Sequence, residues 1–359
     1  MFPMRIATLN SAEDVGAAGT KVIDLDLTEV ISRILIKFKA ENGDDGQDDV
    51  PFANITKIEI VDGSDVLFTF NGQAGDAVNF YDLGRPEVSS WSFLDEYANE
   101  ALIGLNFGRY PGDPELALPP DRFRNLQLKI TYDEDVANTS TTVNELLVKA
   151  LVFSGRSVSP LGFLSVKEQY AYTPTADAYE EIELPTDMIL RTLYLQALDH
   201  SQWLGNSVGE VRLDEDALKT IMFDDEYYEV MKFFRPRFGK YIHKSLNEIG
   251  ATATAHYRGP TSDAVSLGTP DGATERYLAQ NNQFGALLSS IIDTENDVTW
   301  LHSGYLPHYV GAFPFGERNK IDSWYNPGGV KKLRFRIKGG ASLGGTETFR
   351  VITQQYRRL

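Results

Sequence analysis

The residue types that could bind a metal or perform catalysis are few and scattered in this sequence. The histidines are His200, His243, His256, His302 and His308. No two of them have the spacing of a helical zinc motif, and His302 and His308 flank Pro307 in a predicted loop. The absence of cysteine excludes a disulfide framework, a thiolate zinc site and a cysteine nucleophile. We interpret the histidines as surface or interface residues.

A glycine-rich run at residues 339–345 resembles a phosphate-binding loop only superficially. The Lys-Ser or Lys-Thr pair of such a loop does not follow it, and strand-like sequence stands where a helix is required. We predict a flexible hairpin connection here.

Two clusters of carboxylates are candidates for a cation site. They are Asp44, Asp45, Asp48 and Asp49, and Asp224, Asp225 and Glu226. Calcium needs several oxygen ligands from one loop, and neither cluster has the calcium-loop spacing with its closing glutamate. We interpret both as solvated acidic turns, with a specific ion site as the alternative. A carboxylate pair for glycoside hydrolysis stays open, because the separation of such a pair is a three-dimensional quantity. The sequence therefore assigns no catalytic, cofactor-binding or metal-binding residue, and we expect no cofactor.

Aromatic residues are concentrated in one short segment. They are Tyr227, Tyr228, Phe233, Phe234, Phe238 and Tyr241, with Arg235 and Arg237 among them. We predict that they form the packed core of a long strand and its loop. The alternative is a contact between subunits, where aromatic residues and arginine are enriched.

Length and charge limit the classes of function. The chain has 359 residues, 42% of them hydrophobic, which favours two packed domains. Its formal charge of −17 would repel phosphate backbones, so we expect no direct nucleic-acid binding. No signal peptide or apolar membrane span is recognisable, which fits synthesis in a cytoplasm.

Strand patterns dominate the sequence. Apolar and polar residues alternate from Leu126 to Ile130, and residues 55–70 have the pattern of a hairpin with its turn at Asp62 and Gly63. Two helices are predicted, one after a capping Ser92 up to about Glu100 and one at residues 273–280.

Three sequence blocks recur in the same order in the two halves of the chain. The pairs of blocks are residues 28–33 with 186–191, 55–70 with 208–223, and 126–130 with 333–337. The offsets are 158, 153 and 207 residues, so the second copy holds about 50 additional residues. We infer a duplicated β-domain, with domains at residues 1–157 and 158–359, a linker at 154–160 and an insertion at about 235–325.

The chain resembles the double jelly-roll major capsid proteins of icosahedral viruses with an internal membrane, particularly bacteriophages. The resemblance lies in residues 55–68, in Asn79-Phe80-Tyr81, and in Ala117-Leu118-Pro119-Pro120 leading into residues 123–130. The second half repeats this layout, so the resemblance covers nearly the whole chain.

The resemblance implies an all-β fold of two tandem eight-stranded jelly-roll sandwiches, with short helices and a long loop insertion in the second. It also implies a non-catalytic coat protein of the virion that forms homotrimers with a pseudo-hexagonal outline. The expected partners are neighbouring trimers, penton and minor capsid proteins, and a lipid membrane beneath the shell. The terminal Arg357 and Arg358 are interpreted as solvated charges, with anionic headgroups as the alternative partner.

Two rival functions stay open from the sequence. One is a tandem jelly-roll protein that binds or processes carbohydrate, and the other is a phage spike or receptor-binding protein. The lack of a recognisable signal peptide and catalytic pair counts against the first.

Overall fold

A computed structural model describes most of the chain. It covers residues 3–42, 49–92, 97–137, 143–154, 158–198, 204–247, 255–258, 260–261, 265–270, 278–281, 287–290, 298–341, 343, 345 and 347–359. Within these segments the fold is almost entirely β, with a few short helices. None of the helices in these segments is long and apolar enough to cross a membrane.

The described residues of the first half form eight strands and one α-helix. They are β1 (Met4–Asp14), β2 (Ala18–Asp24), β3 (Ile31–Glu41), β4 (Ile55–Asp62), β5 (Asp65–Phe70), α1 (Gly72–Leu83), β6 (Ala98–Asn106), β7 (Leu126–Asp133) and β8 (Asn144–Phe153). The predicted alternation is present, because alternate residues of β7 are buried along its whole length.

The second half repeats this series and adds further strands within it. Its elements are β9 (Gly162–Tyr172), β10 (Tyr179–Leu184), β11 (Ile189–Leu198), α2 (Leu204–Ser207), β12 (Val208–Glu215), β13 (Thr220–Glu226), α3 (Tyr227–Phe234), β14 (Tyr241–Asn247), β15 (Ala255–Arg258), β16 (Val265–Pro270), β17 (Leu278–Asn281), β18 (Leu287–Ser290), β19 (Val298–Gly304), β20 (Val310–Pro314), β21 (Leu333–Gly339) and β22 (Thr348–Arg358).

The strand order of the first sandwich recurs in the second. One sheet of the first sandwich has the order β1-β8-β3-β6, and the corresponding strands of the second have the order β9-β22-β11-β20. The other layers have the orders β2-β7-β4-β5 and β10-β21-β12-β13. The recurring sequence blocks fall at equivalent places. The first leads into β3 and β11, the second begins on β4 and β12, and the third lies on β7 and β21. The predicted duplication is confirmed.

The two sandwiches are joined through a shared sheet. Strand β5 lies parallel to β9 at Thr69 and Lys167, which merges four strands from each half into one eight-stranded sheet. The main hydrophobic core also crosses the boundary, because Tyr194, Val310 and Ile352 belong to the same cluster as Phe68 and Phe80. Continuous apolar burial of this kind resists independent movement of the halves.

The added strands of the second half all lie between α3 and β20. Strands β14, β19, β16 and β17 form one small sheet, and β15 pairs with β18. The sequence offsets place the insertion at about residues 235–325, a range that also includes β20, which pairs with β11 in the body of the sandwich.

Three local predictions are wrong. Residues 98–100 are not helical, because they pair with β3 as the start of β6. Residues 278–280 are not helical either, because they belong to β17, which pairs with β16. The glycine-rich run is not a hairpin turn, because β21 and β22 lie in different sheets. Residues 93–96 and 273–277, in the two predicted helices, lie outside the described residues.

Candidate functional site

Helix α1 lies between the two sandwiches and is the best-organised polar site in the described part of the chain. Asn71 caps its first turn by accepting a hydrogen bond from the backbone N–H of Ala74 at 2.7 Å. Gly84 ends it in the left-handed region with a φ of +74°, a conformation that favours glycine. Every residue from Gly72 to Asp82 is buried, so the helix is enclosed on all sides.

The polar side chains of α1 are satisfied largely by the second sandwich. The Tyr81 hydroxyl donates to the backbone oxygen of Val310 at 2.7 Å. At the capping residue, the Asn71 amide donates to the Gln196 side-chain oxygen at 2.9 Å. Buried polar groups of this kind fix one relative position of two elements, because separating them would leave donors and acceptors unpaired.

A buried ion pair lies near the end of the helix. Asp82 pairs with Arg191 of β11, and each side chain is only 4% exposed. Gln354 of β22 completes the group, since its amide donates to both oxygens of Asp82 at 3.1 Å and its oxygen accepts from Arg191 at 2.8 Å. Removal of one member would leave a buried charge without its partner.

A second polar group connects the same helix to the insertion. One carboxylate oxygen of Asp76 accepts a hydrogen bond from the Tyr241 hydroxyl at 2.8 Å and lies 2.9 Å from Nε2 of His308. His308 is buried and has a φ of +49°, which is uncommon for a residue other than glycine. Its backbone N–H donates to Pro260, so this loop is held from both sides.

Two more histidines, His243 and His302, lie near Trp91 beside the group formed by Asp76, Tyr241 and His308. The rings of Trp91 and His243 are stacked with centroids 4.0 Å apart, and His302 lies on the paired strand. Burial lowers the pKa of His302 to about 3. Burial, with His302 and His308 nearby, also holds the pKa of His243 well below its ordinary value. Both side chains are therefore neutral at neutral pH.

The predicted surface position of the histidines is thus wrong for His302 and His308, which are fully buried. His302 also lies in strand β19 and not in a loop. His200 lies outside the described residues, and His256 is described only as part of β15. Among the described residues, no three His, Asp or Glu side chains converge in a group that could hold a metal ion.

The two acidic clusters differ from the prediction. Asp224, Asp225 and Glu226 are exposed as expected, but they end the edge strand β13 and do not form a turn. Asp49 is buried, and its carboxylate accepts from the N–H of Val50 at 2.7 Å. Its predicted solvation is therefore wrong. Asp44, Asp45 and Asp48 lie outside the described residues. The acidic end of β13 protects an open sheet edge, because charge disfavours pairing with a further strand.

The glycine-rich run also contains Gly-x-Ser-x-Gly, at residues 340–344, the pattern of a hydrolase nucleophile elbow. Such an elbow joins a strand to a helix. This run joins β21 to β22, so the context of an elbow is lacking. Ser342 and Gly344 lie outside the described residues.

Four of the six clustered aromatic residues lie in helix α3 and not in the predicted long strand, whereas Tyr241 begins β14. Tyr227, Val230 and Met231 of α3 face the core of the second sandwich, while Phe233 is 80% exposed. Pro236 lies two residues after the end of the helix and cannot continue it. The predicted core packing is right for Tyr227 and wrong for Phe233.

At the C-terminus, Arg357 forms an ion pair with Asp65 of the first sandwich. This pair adds a polar link between the halves, although each side chain is partly exposed. Arg358 is exposed, as expected.

No sequence pattern indicated Asn71, Asp76, Asp82 and Arg191, the polar residues at the junction of α1 with the second sandwich. Two signals could have located α1: a capping asparagine at its start and a glycine just after its end. Arg191, the partner of Asp82, and His308, the partner of Asp76, lie more than 100 positions away, so no local pattern predicts these pairs.

Comparison with known proteins gives structural relatives but no sequence relatives. No protein-family profile matches the sequence, and no curated protein matches it. The crystal structure of the STIV MCP, from Sulfolobus turreted icosahedral virus, is similar with a TM-score of 0.60 and 8% identity, over 99% of this chain and 96% of that one.

Two further solved structures are similar over nearly their whole lengths. PBCV-1 VP54, fitted into a reconstruction of the virophage Sputnik, has a TM-score of 0.58 and 10% identity, covering 99% of this chain and 94% of that one. The major capsid protein P2 of bacteriophage PM2 has a TM-score of 0.53 and 11% identity, covering 99% and 98%. This chain has the double jelly-roll fold. The resemblance predicted from the sequence is confirmed as a likeness of fold.

Proposed function

We propose that this chain is the major coat subunit of an icosahedral virion and acts without catalysis. Three copies would form a trimer whose six sandwiches give a pseudo-hexagonal outline, and such trimers would tile the shell. The observation that carries this proposal is the double jelly-roll fold, shared with major capsid proteins over 99% of the chain.

The junction at α1 supports a role as a building block. A tile must hold its two sandwiches at a fixed angle, because small rotations would accumulate over a closed shell. The buried pair of Asp82 and Arg191, the Asp76 group and the shared sheet all oppose such rotation. We propose residues 1–157 and 158–359 as the two domains.

Exposed apolar residues provide candidate contacts between copies. Val88 is 88% exposed, Phe233 80%, Ile6 68% and Leu161 61%. Removing apolar side chains such as these from water is favourable when an interface covers them. We assign Phe233 to a contact between copies, in keeping with the alternative interpretation of the aromatic cluster.

The wider set of partners follows from the same proposal. Trimers would meet penton and minor capsid proteins, and a lipid membrane would lie beneath the shell. The net charge of −17 suits a coat that does not touch the genome. Synthesis would take place in the host cytoplasm.

Light scattering and electron microscopy of the purified full-length protein test the proposal. We expect a mass about three times the chain mass of 40.1 kDa and particles with a hexagonal outline or closed shells. A stable monomer that binds glycans would contradict the proposal and favour the carbohydrate-binding alternative.

A further inference from the structure

A small cleft between the two sandwiches is lined by three arginines. Arg191 comes from β11, Arg237 from the segment after α3, and Arg318 from the loop after β20, with Asp82 and Tyr194 beside them. The cleft has a volume of about 40 Å³. That is room for about two or three water molecules or one compact oxyanion, since a single water needs roughly 10–15 Å³.

The donors of these arginines are only partly used. Arg191 donates from Nη1 to Asp82 and Gln354 and from Nε to the Arg318 carbonyl at 3.4 Å. Its Nη2 makes no hydrogen bond to any described residue, although the side chain is 4% exposed. The Arg318 guanidinium has no hydrogen bond or ion pair to the described residues. Arg237 donates only to the backbone oxygens of Pro314 and Gly316.

The charges in the cleft do not balance. Three arginines and one carboxylate residue, Asp82, line the cleft, in a chain whose net charge is −17. Burial and the nearby Arg191 lower the pKa of Arg318, while Asp82 acts in the opposite direction. Arginine nevertheless stays protonated at neutral pH, so two guanidinium charges remain beyond the one that Asp82 balances. Arg237 and Arg318 are both exposed, so water hydrates them when no anion is bound and an incoming oxyanion can reach them.

We propose that this cleft binds a compact oxyanion, a carboxylate or a phosphate, through the guanidinium groups of Arg318, Arg191 and Arg237. Guanidinium groups match such anions because their N–H donors form a planar fork. The oxyanion has two sources with the same chemistry. One is free phosphate, and the other is an Asp or Glu side chain of a neighbouring copy, a source that rests on the proposed coat function.

Arg318 also lies beside the end of α1, where its Nη1 is 3.6 Å from an ideal Cβ position on Gly84. There it would stabilise the negative end of the helix dipole without any ligand. A purely structural role of this kind predicts a change in stability but no anion binding, so the two roles give different results.

Calorimetric titration of the full-length protein with inorganic phosphate, at constant ionic strength set with chloride, tests the site. We expect saturable binding that weakens at least tenfold in Arg318→Ala and is unchanged in Arg122→Ala, an exposed arginine outside the cleft. Arg318→Lys keeps the charge but loses the fork, so it should restore only part of the affinity. Absence of binding, or equal binding by wild type and Arg318→Ala, would overturn the proposal.

Self-association of the same variants, measured by light scattering, separates the two sources. A neighbouring carboxylate predicts that Arg318→Ala associates more weakly than wild type and that phosphate competes with association. Arg318→Ala could also associate as strongly as wild type while wild type binds phosphate. That result would overturn a neighbouring copy as the source of the oxyanion and support free phosphate. If the wild type is a monomer, the coat function fails, and the titration still decides whether the cleft binds an oxyanion.

Discussion

Helices α1 and α3 occupy equivalent places in the two sandwiches but have opposite surroundings. Each follows the fifth strand of its own sandwich; α1 is followed by β6, whereas the added strands separate α3 from the equivalent strand β20. Helix α1 has 12 residues and is enclosed by both sandwiches, whereas α3 has eight residues and leaves Phe233 and Lys232 exposed. The duplicated position has become a junction in one half and an outer surface in the other.

The same divergence is visible at equivalent arginines. Arg33 of β3 and Arg191 of β11 lie at matching positions of the repeat, and each contacts α1. Arg33 bonds Asn79 within its own sandwich, whereas Arg191 bonds Asp82 across the boundary. The two matching arginines therefore bond the same helix from different sandwiches, and only Arg191 links the two halves.

The largest predicted effect tests the ion pair of α1. Asp82→Ala leaves the Arg191 guanidinium buried without its carboxylate, which should cost about 3–5 kcal/mol of unfolding free energy. The matched change on α3 is Glu229→Ala, which breaks an exposed pair with Lys232 and should cost less than about 0.5 kcal/mol. Urea unfolding measures both. Equal small losses would show that α1 is not the junction.

A pH titration tests the histidines beside the junction. The folded pKa values of His302 and His243 lie below the ordinary value. Above about pH 6.5 both histidines are therefore neutral in the folded and the unfolded chain, and they do not lower the free energy of unfolding. As the pH falls below that, each histidine should cost up to about 1.4 kcal/mol per pH unit, since the unfolded chain binds the proton first. Unfolding free energies from pH 7 to 5 should fall in wild type and fall less in His302→Gln. Parallel profiles would contradict the prediction.

A hydroxyl deletion compares the helices more finely. Tyr81→Phe removes the donor to the Val310 oxygen, and we expect a loss of about 1–2 kcal/mol because that acceptor lies in a buried region. Tyr228→Phe on α3 removes a hydroxyl that accepts a long hydrogen bond from Arg235, at 3.2 Å, at a partly buried position, and the expected change is about 0.5 kcal/mol. Thermal unfolding measures the loss of stability in the two variants. A larger loss in Tyr228→Phe than in Tyr81→Phe would contradict the prediction that α1 is the more deeply enclosed helix.

The smallest effect on stability is expected at the outer face of α3. Phe233→Ser should change the unfolding free energy by no more than about 0.5 kcal/mol, because the ring is mostly exposed. It should nevertheless weaken association between copies, as measured by light scattering, while Glu229→Ser on the same helix should not. If Phe233→Ser associates as strongly as wild type, Phe233 does not take part in the proposed contact between copies.

The sheets and their duplication could be predicted from the sequence, because alternating residues such as Leu126, Leu128 and Ile130 mark a strand with one buried face. Helix α1 could not be predicted from periodicity. It is buried on every side, so its polar and apolar residues do not separate into two faces. The predicted helix up to Glu100 is wrong for a different reason. Residues 98–100 pair with β3, and this pairing between strands overrides the local helix preference.

Native-state hydrogen exchange in increasing urea tests most directly whether α1 makes the two sandwiches one unit. The amides of α1, β11 and β22 should open with the same free energy, equal to that of global unfolding. In Asp82→Ala the second sandwich should open separately, at a lower free energy than the first. If β11 and β22 of the wild-type protein already open independently of α1, the junction does not couple the two sandwiches.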